Sequence, residues 1–184
     1  MPVDLRPGGF YVFKARKPDR MYHLISDFTS AGYTTLCVSR VHPEQLKEDF
    51  GIPEKTVFWL SDSVGTRNIS PQNVGILTDN LIRFYEGNAK PVAVLDGLEY
   101  LVMHNDFGKI LKLLSLLYET VIVRRGILIT TIDPRAFSTQ ELAFIEKDPI
   151  IVEEEEIVTI DGSAVDPRSR GDLHQAGVHR TIYK

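Results

Sequence analysis

The chain has 184 residues, 43% of them hydrophobic, and a formal net charge of −4. That length and apolar content fill the core of one ordinary domain and exclude wholesale disorder, while the acidic balance leaves no electrostatic footprint for nucleic acid. No apolar run approaches the roughly 20 residues needed to cross a bilayer, so no membrane insertion is expected. With no apolar signal core at the start of the chain, a cytoplasmic location is expected.

Strand and helix patterns alternate along the chain. Phe10-Tyr11-Val12-Phe13 is a short run of strand formers. A helix is predicted from Pro18, with Met21, Leu24, Ile25 and Phe28 at i, i+3, i+4 and i+7 spacing and Gly32 at the left-handed position beyond its end. A second strand spans residues 34–38 and holds Cys37. This is the single cysteine, expected to be packed rather than reactive. Pro43 opens a short helix through Leu46 and Phe50, closed by Gly51.

Val57-Phe58-Trp59-Leu60 is the third strand, and residues 61–68 read as a polar loop. Ser70-Pro71 predicts a helix start, with Val74, Leu77, Leu81 and Phe84 turned inward. Val92-Ala93-Val94-Leu95 is apolar on both faces, as a strand covered by helices on both sides must be. A long helix begins near Asn105-Asp106, a fifth strand follows Gly126, and Ser138 with Glu141 forms a capping box for a last helix. Together these predict a three-layer α/β sandwich around a mainly parallel five-stranded sheet.

The core is expected to span residues 1–149. Residues 150–184 form an acidic strand region and a polar tail. Ile150-Ile151-Val152 can start another strand, four glutamates follow at 153–156, and strand chemistry returns at 157–160. The tail is either frayed or orders on a partner or a second copy. Residues 178–183 have enough apolar character to add as an edge strand to another sheet.

Ligands in open parallel sheets bind beyond the carboxyl ends of the strands. The segment ending Leu95-Asp96 delivers a carboxylate there, as the magnesium-facing aspartate does in P-loop nucleotide hydrolases. The phosphate loop G-x-x-x-x-G-K-[ST] is nowhere in the chain. The corresponding link, residues 14–20, has no glycine with which to wrap a phosphate. Its side chains Arg16 and Lys17, with Arg40 at the next strand end, form a candidate anion or nucleotide site, or else solvated loops.

Asp96, Glu99 and Asp133 are the candidate acidic strand-end residues. They could share a metal or activate water, or simply cap turns and pair with cations. The five histidines do not cluster and there is no second cysteine, so no metal site is expected. No nucleophile elbow occurs, so no catalytic residue is assigned and no cofactor is expected.

Several segments in order resemble the uncharacterised archaeal domain-of-unknown-function family eight-three-five. They are Gly32 to Arg40 with His42-Pro43, Phe58-Trp59-Leu60-Ser61, Pro71-Gln72-Asn73 with Leu77-Thr78-Asp79, Leu95-Asp96-Gly97-Leu98-Glu99-Tyr100-Leu101, Asn105-Asp106-Phe107, and Gly126-Ile127-Leu128-Ile129 with Asp133-Pro134. The resemblance covers about residues 10–148. It implies a RecA- or KaiC-like, P-loop NTPase-like core without the phosphate loop, often fused to sensor domains and histidine kinases. It carries no catalytic residues with it. The expected function is a non-catalytic interaction or regulatory module in a signalling assembly, binding a protein partner or itself. The alternative is a nucleotide- or anion-binding domain, or an unorthodox NTPase, using the strand-end cleft.

Overall fold

The computed structural model describes residues 1–165. Seven strands form one wholly parallel sheet: β2 (Gly9–Lys14), β3 (Thr34–Ser39), β4 (Val57–Leu60), β5 (Asn68–Ile69), β6 (Pro91–Leu95), β7 (Ile127–Ile132) and β8 (Ile150–Val152). Their order is β5-β4-β3-β6-β7-β2-β8. The expected count of five is therefore corrected to seven. Both added strands lie at the sheet edges: β8 is the strand that Ile150-Ile151-Val152 could start, and β5, with two residues, is too brief to show a period. Three further strands, β1 (Val3–Leu5), β9 (Val158–Ile160) and β10 (Ser163–Val165), form a small separate sheet.

Six helices cover the large sheet: α1 (Asp19–Ser30), α2 (Pro43–Phe50), α3 (Val74–Gly87), α4 (Leu98–His104), α5 (Phe107–Arg124) and α6 (Thr139–Ile145). Strand side chains alternate between two cores. Phe10, Val12, Ala93, Leu95 and Leu128 pack with α3 to α6. Tyr11, Phe13, Val92, Val94 and Ile129 pack with α1 and α2, joined by Leu5, Val158 and Ile160 of the small sheet. Burial on both faces explains why β6 reads as an unbroken apolar run and why β7 departs from one only at Thr130 and Thr131. Each fully buried Val or Leu contributes roughly 1.5–3 kcal/mol.

Local signals hold at most boundaries. Met21, Leu24, Ile25 and Phe28 are the buried stripe of α1, together with Tyr22. The α2 helix starts on a His42 side-chain cap with Pro43 in its first turn and ends at Gly51, whose φ of 68° lies in the left-handed region. Both halves of the Ser138–Glu141 capping box are made. The α3 helix begins later than Ser70-Pro71 suggests. Ser70 Oγ donates to Asp62 at 2.6 Å, and Asn73 caps the helix instead by accepting from the Ile76 N–H. Gly126 is needed for close approach, because a Cβ there would stand 2.6 Å from the Tyr85 ring. That ring's hydroxyl donates to the Ile127 carbonyl at 2.8 Å, tying α3 to the start of β7.

Cys37 is 1% exposed, and burial pushes its thiol up, into the inert protonated form. Among the described residues no helix is long and apolar enough to cross a membrane. The strand expected at residues 178–183 lies outside the described residues.

Candidate strand-end site

Asp96 follows β6, and Gly97 at φ 94° turns the chain into α4. A side chain at Gly97 would be strained by that backbone conformation, although a Cβ there would meet Leu60 and Arg40 only at ordinary contact distances of 3.5 and 3.6 Å. This turn leaves Asp96 only 8% exposed. Its Oδ2 accepts from the Tyr22 hydroxyl at 2.5 Å and from Ser39 Oγ at 3.2 Å. The two hydroxyls lie 2.7 Å apart, and Ser39 Oγ also accepts from the Val41 N–H at 2.9 Å.

The three side-chain oxygens thus make three mutual contacts, but two hydroxyls supply only two protons. A proton on Asp96 Oδ2 completes the ring, with Oδ2 then accepting from one hydroxyl and donating to the other. Burial pushes the Asp96 carboxyl up in the same direction, against the opposing pull of the Tyr22 and Ser39 hydrogen bonds. Tyr22 and Ser39 are themselves 1% and 0% exposed. Desolvation by burial, above all, raises the Tyr22 phenol well above its ordinary value.

The other acids are separately engaged. Glu99, half-buried on α4, accepts from the Asp133 N–H at 2.7 Å, and burial raises its carboxyl. Asp133 pairs with Arg135 at 2.6 Å, and that hydrogen-bonded guanidinium holds its carboxyl down at about 2. Among the described residues, no group of three or more His, Cys, Asp or Glu side chains is placed to hold a metal ion.

The candidate cations divide into two places. Arg16 and Lys17 line one pocket beyond β2, with Phe13 and Thr131. Arg40 lies at the end of β3, its guanidinium 4.6 Å over the Tyr100 ring and its carbonyl accepting from Trp59 Nε1 at 3.1 Å. Two strands separate β3 from β2, three spacings of about 4.8 Å and so roughly 14 Å. Sequence reasoning grouped these three cations without knowing that order. It also missed Tyr22 as the partner of Asp96. The available signal was an aromatic hydroxyl inside the buried stripe of α1, a group that needs a partner when buried.

Residues 14–148 match the model of a family described as a protein of unknown function (DUF835), and the chain belongs to that family. The match runs from the last residue of β2 through α6, leaving β1 and β8 to β10 outside it. No curated protein matches the chain.

Proposed function

We propose that the chain is a non-catalytic protein-interaction or regulatory module of an archaeal signalling assembly, on a P-loop NTPase-like, RecA- or KaiC-like frame without nucleotide chemistry. The observation that carries this reading is the enclosure of Asp96 by Tyr22 and Ser39. A magnesium-facing carboxylate must be ionised and must offer an oxygen to the metal or its water. Here the inward oxygen is taken by two hydroxyls, and burial favours the neutral acid. The glycine-free link after β2 supports the same reading, since it lacks a backbone cradle for phosphates.

Two measurements test the proposal. Phosphate release from magnesium-ATP and magnesium-GTP should stay at the buffer background and be the same for the wild type and Asp96→Asn. Turnover by a wild type that a folded Asp96→Asn variant loses would contradict it. Removing residues 166–184 should leave the unfolding midpoint unchanged and weaken self-association or partner binding, followed by sedimentation. A truncated chain that no longer folds would refute that division of labour.

A further inference from the structure

The crevice beyond β2 and β7 has a topological origin. After β2 the chain enters α1, which packs on the core shared with α2. After β7 it enters α6, which packs on the opposite core. Adjacent parallel strands whose connections leave to opposite faces open a crevice at their carboxyl ends, where ligands of open α/β sheets bind. The strands are in register with Phe13 beside Thr131 and Lys14 beside Ile132, so both end at this crevice.

It forms a pocket of about 400 Å³. Its floor includes the Phe13 ring, 2% exposed, and Thr131, 6% exposed. Among the described residues the Thr131 hydroxyl meets only the Met21 thioether, 3.6 Å away, a weak acceptor. A buried hydroxyl with so poor a partner is uncommon in a finished core. Arg16 and Lys17 stand exposed on the lining. One wall is fixed by Arg20, which lies 5.2 Å over Phe13 and donates to the carbonyls of Glu153, Glu154 and Glu156. Lys14 is held by Glu146 at 2.8 Å. Asp19 and Glu154 add two carboxylates to the lining.

We infer that this crevice binds a small phosphate monoester with an apolar body. The body packs against Ala15 and the rim of the Phe13–Arg20 stack, one phosphate oxygen accepts from the Thr131 hydroxyl, and Arg16 and Lys17 pair with the others. Side-chain donors replace the backbone amides that the glycine-free link cannot offer. No metal and no bond cleavage are involved, so the site adds a ligand to a non-catalytic module rather than an activity. Glu154 opposes the anion and limits its affinity.

The test uses phenyl phosphate as probe, with inorganic phosphate and phenol as its two halves, and thermal unfolding as readout without magnesium. A ligand of the native state raises the midpoint according to its concentration over Kd. Millimolar phenyl phosphate should raise it more than either half alone. Arg16→Ala with Lys17→Ala should weaken binding at least about tenfold, since each cation contributes a charge-assisted hydrogen bond. The near-isosteric Thr131→Val should weaken it several-fold, while Glu154→Gln should tighten it. No shift, a shift equalled by phenol, or a shift kept in the double variant overturns the inference. Failure here leaves the enclosure of Asp96 untouched, whereas magnesium-dependent turnover would overturn the non-catalytic reading without touching this pocket.

Discussion

Two strand ends of the same sheet have opposite fates. At the end of β6, Asp96 is closed in by Tyr22 and Ser39, with short contacts and almost no exposure. At the ends of β2 and β7, the Thr131 hydroxyl meets, among the described residues, only the Met21 thioether, and Arg16 and Lys17 stand exposed on the lining. The first end has its polar groups paired within the chain, and the second has donors left over. The difference teaches that polarity at a strand end says little by itself. What separates structure from site is whether the polar atoms already have partners.

Breaking the closed end should give the largest effect. Tyr22→Ala removes a fully buried ring and strands Asp96, so a loss of about 3–5 kcal/mol is expected in urea unfolding. Tyr22→Phe keeps the ring and deletes only the hydroxyl, which should cost about 1–3 kcal/mol. A Tyr22→Ala variant as stable as the wild type would show that the enclosure contributes nothing.

A second test uses pH. A carboxyl raised by folding contributes stability that is complete below its ordinary value of 3.8 and is lost as pH rises through its folded value. Asn at position 96 cannot ionise, and its amide can supply the third proton of the ring. The stability of Asp96→Asn relative to the wild type should therefore improve as pH rises from about 3.5 to about 7. Glu99 is raised in the same sense, by burial first and with the Asp96 charge as a further cause, so Glu99 is raised less in Asp96→Asn and adds to the same trend. The opposite trend would mean that Asp96 is held ionised.

The open end should respond least. Arg16→Ala with Lys17→Ala should change stability by no more than roughly 0.5 kcal/mol, as substitutions of exposed side chains usually do. A loss comparable to Tyr22→Phe would mean that these cations belong to the fold, and would erase the contrast between the two ends.

Much of the frame was legible in the sequence because its signals are local. The α1 stripe, the Pro43 and Gly51 boundaries, the doubly buried β6 and the Ser138–Glu141 box each fit within a few residues. Of the small sheet only the β9 strand was legible, as strand chemistry at 157–160; its pairing was not, since β1 is three residues long and sets Val3 beside Val158 across almost the whole described chain. The site was half legible. Arg16 and Lys17 are sequence neighbours and stay together, and Asp96 falls where a strand-end acid should. Arg40 was misplaced beside them because strand order is not written in any local pattern. Tyr22 and Ser39 reach Asp96 across 74 and 57 residues, and only the folded sheet brings them into contact.

The most direct measurement is the unfolding midpoint with ATP, GTP or ADP, each with and without magnesium, in the wild type and in Asp96→Asn. The strand-end pocket can shift the midpoint with a phosphate ligand alone, so the decisive quantity is the added effect of magnesium. The enclosed carboxyl predicts no magnesium-dependent increment in either protein. An increment in the wild type that Asp96→Asn abolishes would place a metal–nucleotide site on Asp96 and contradict the account.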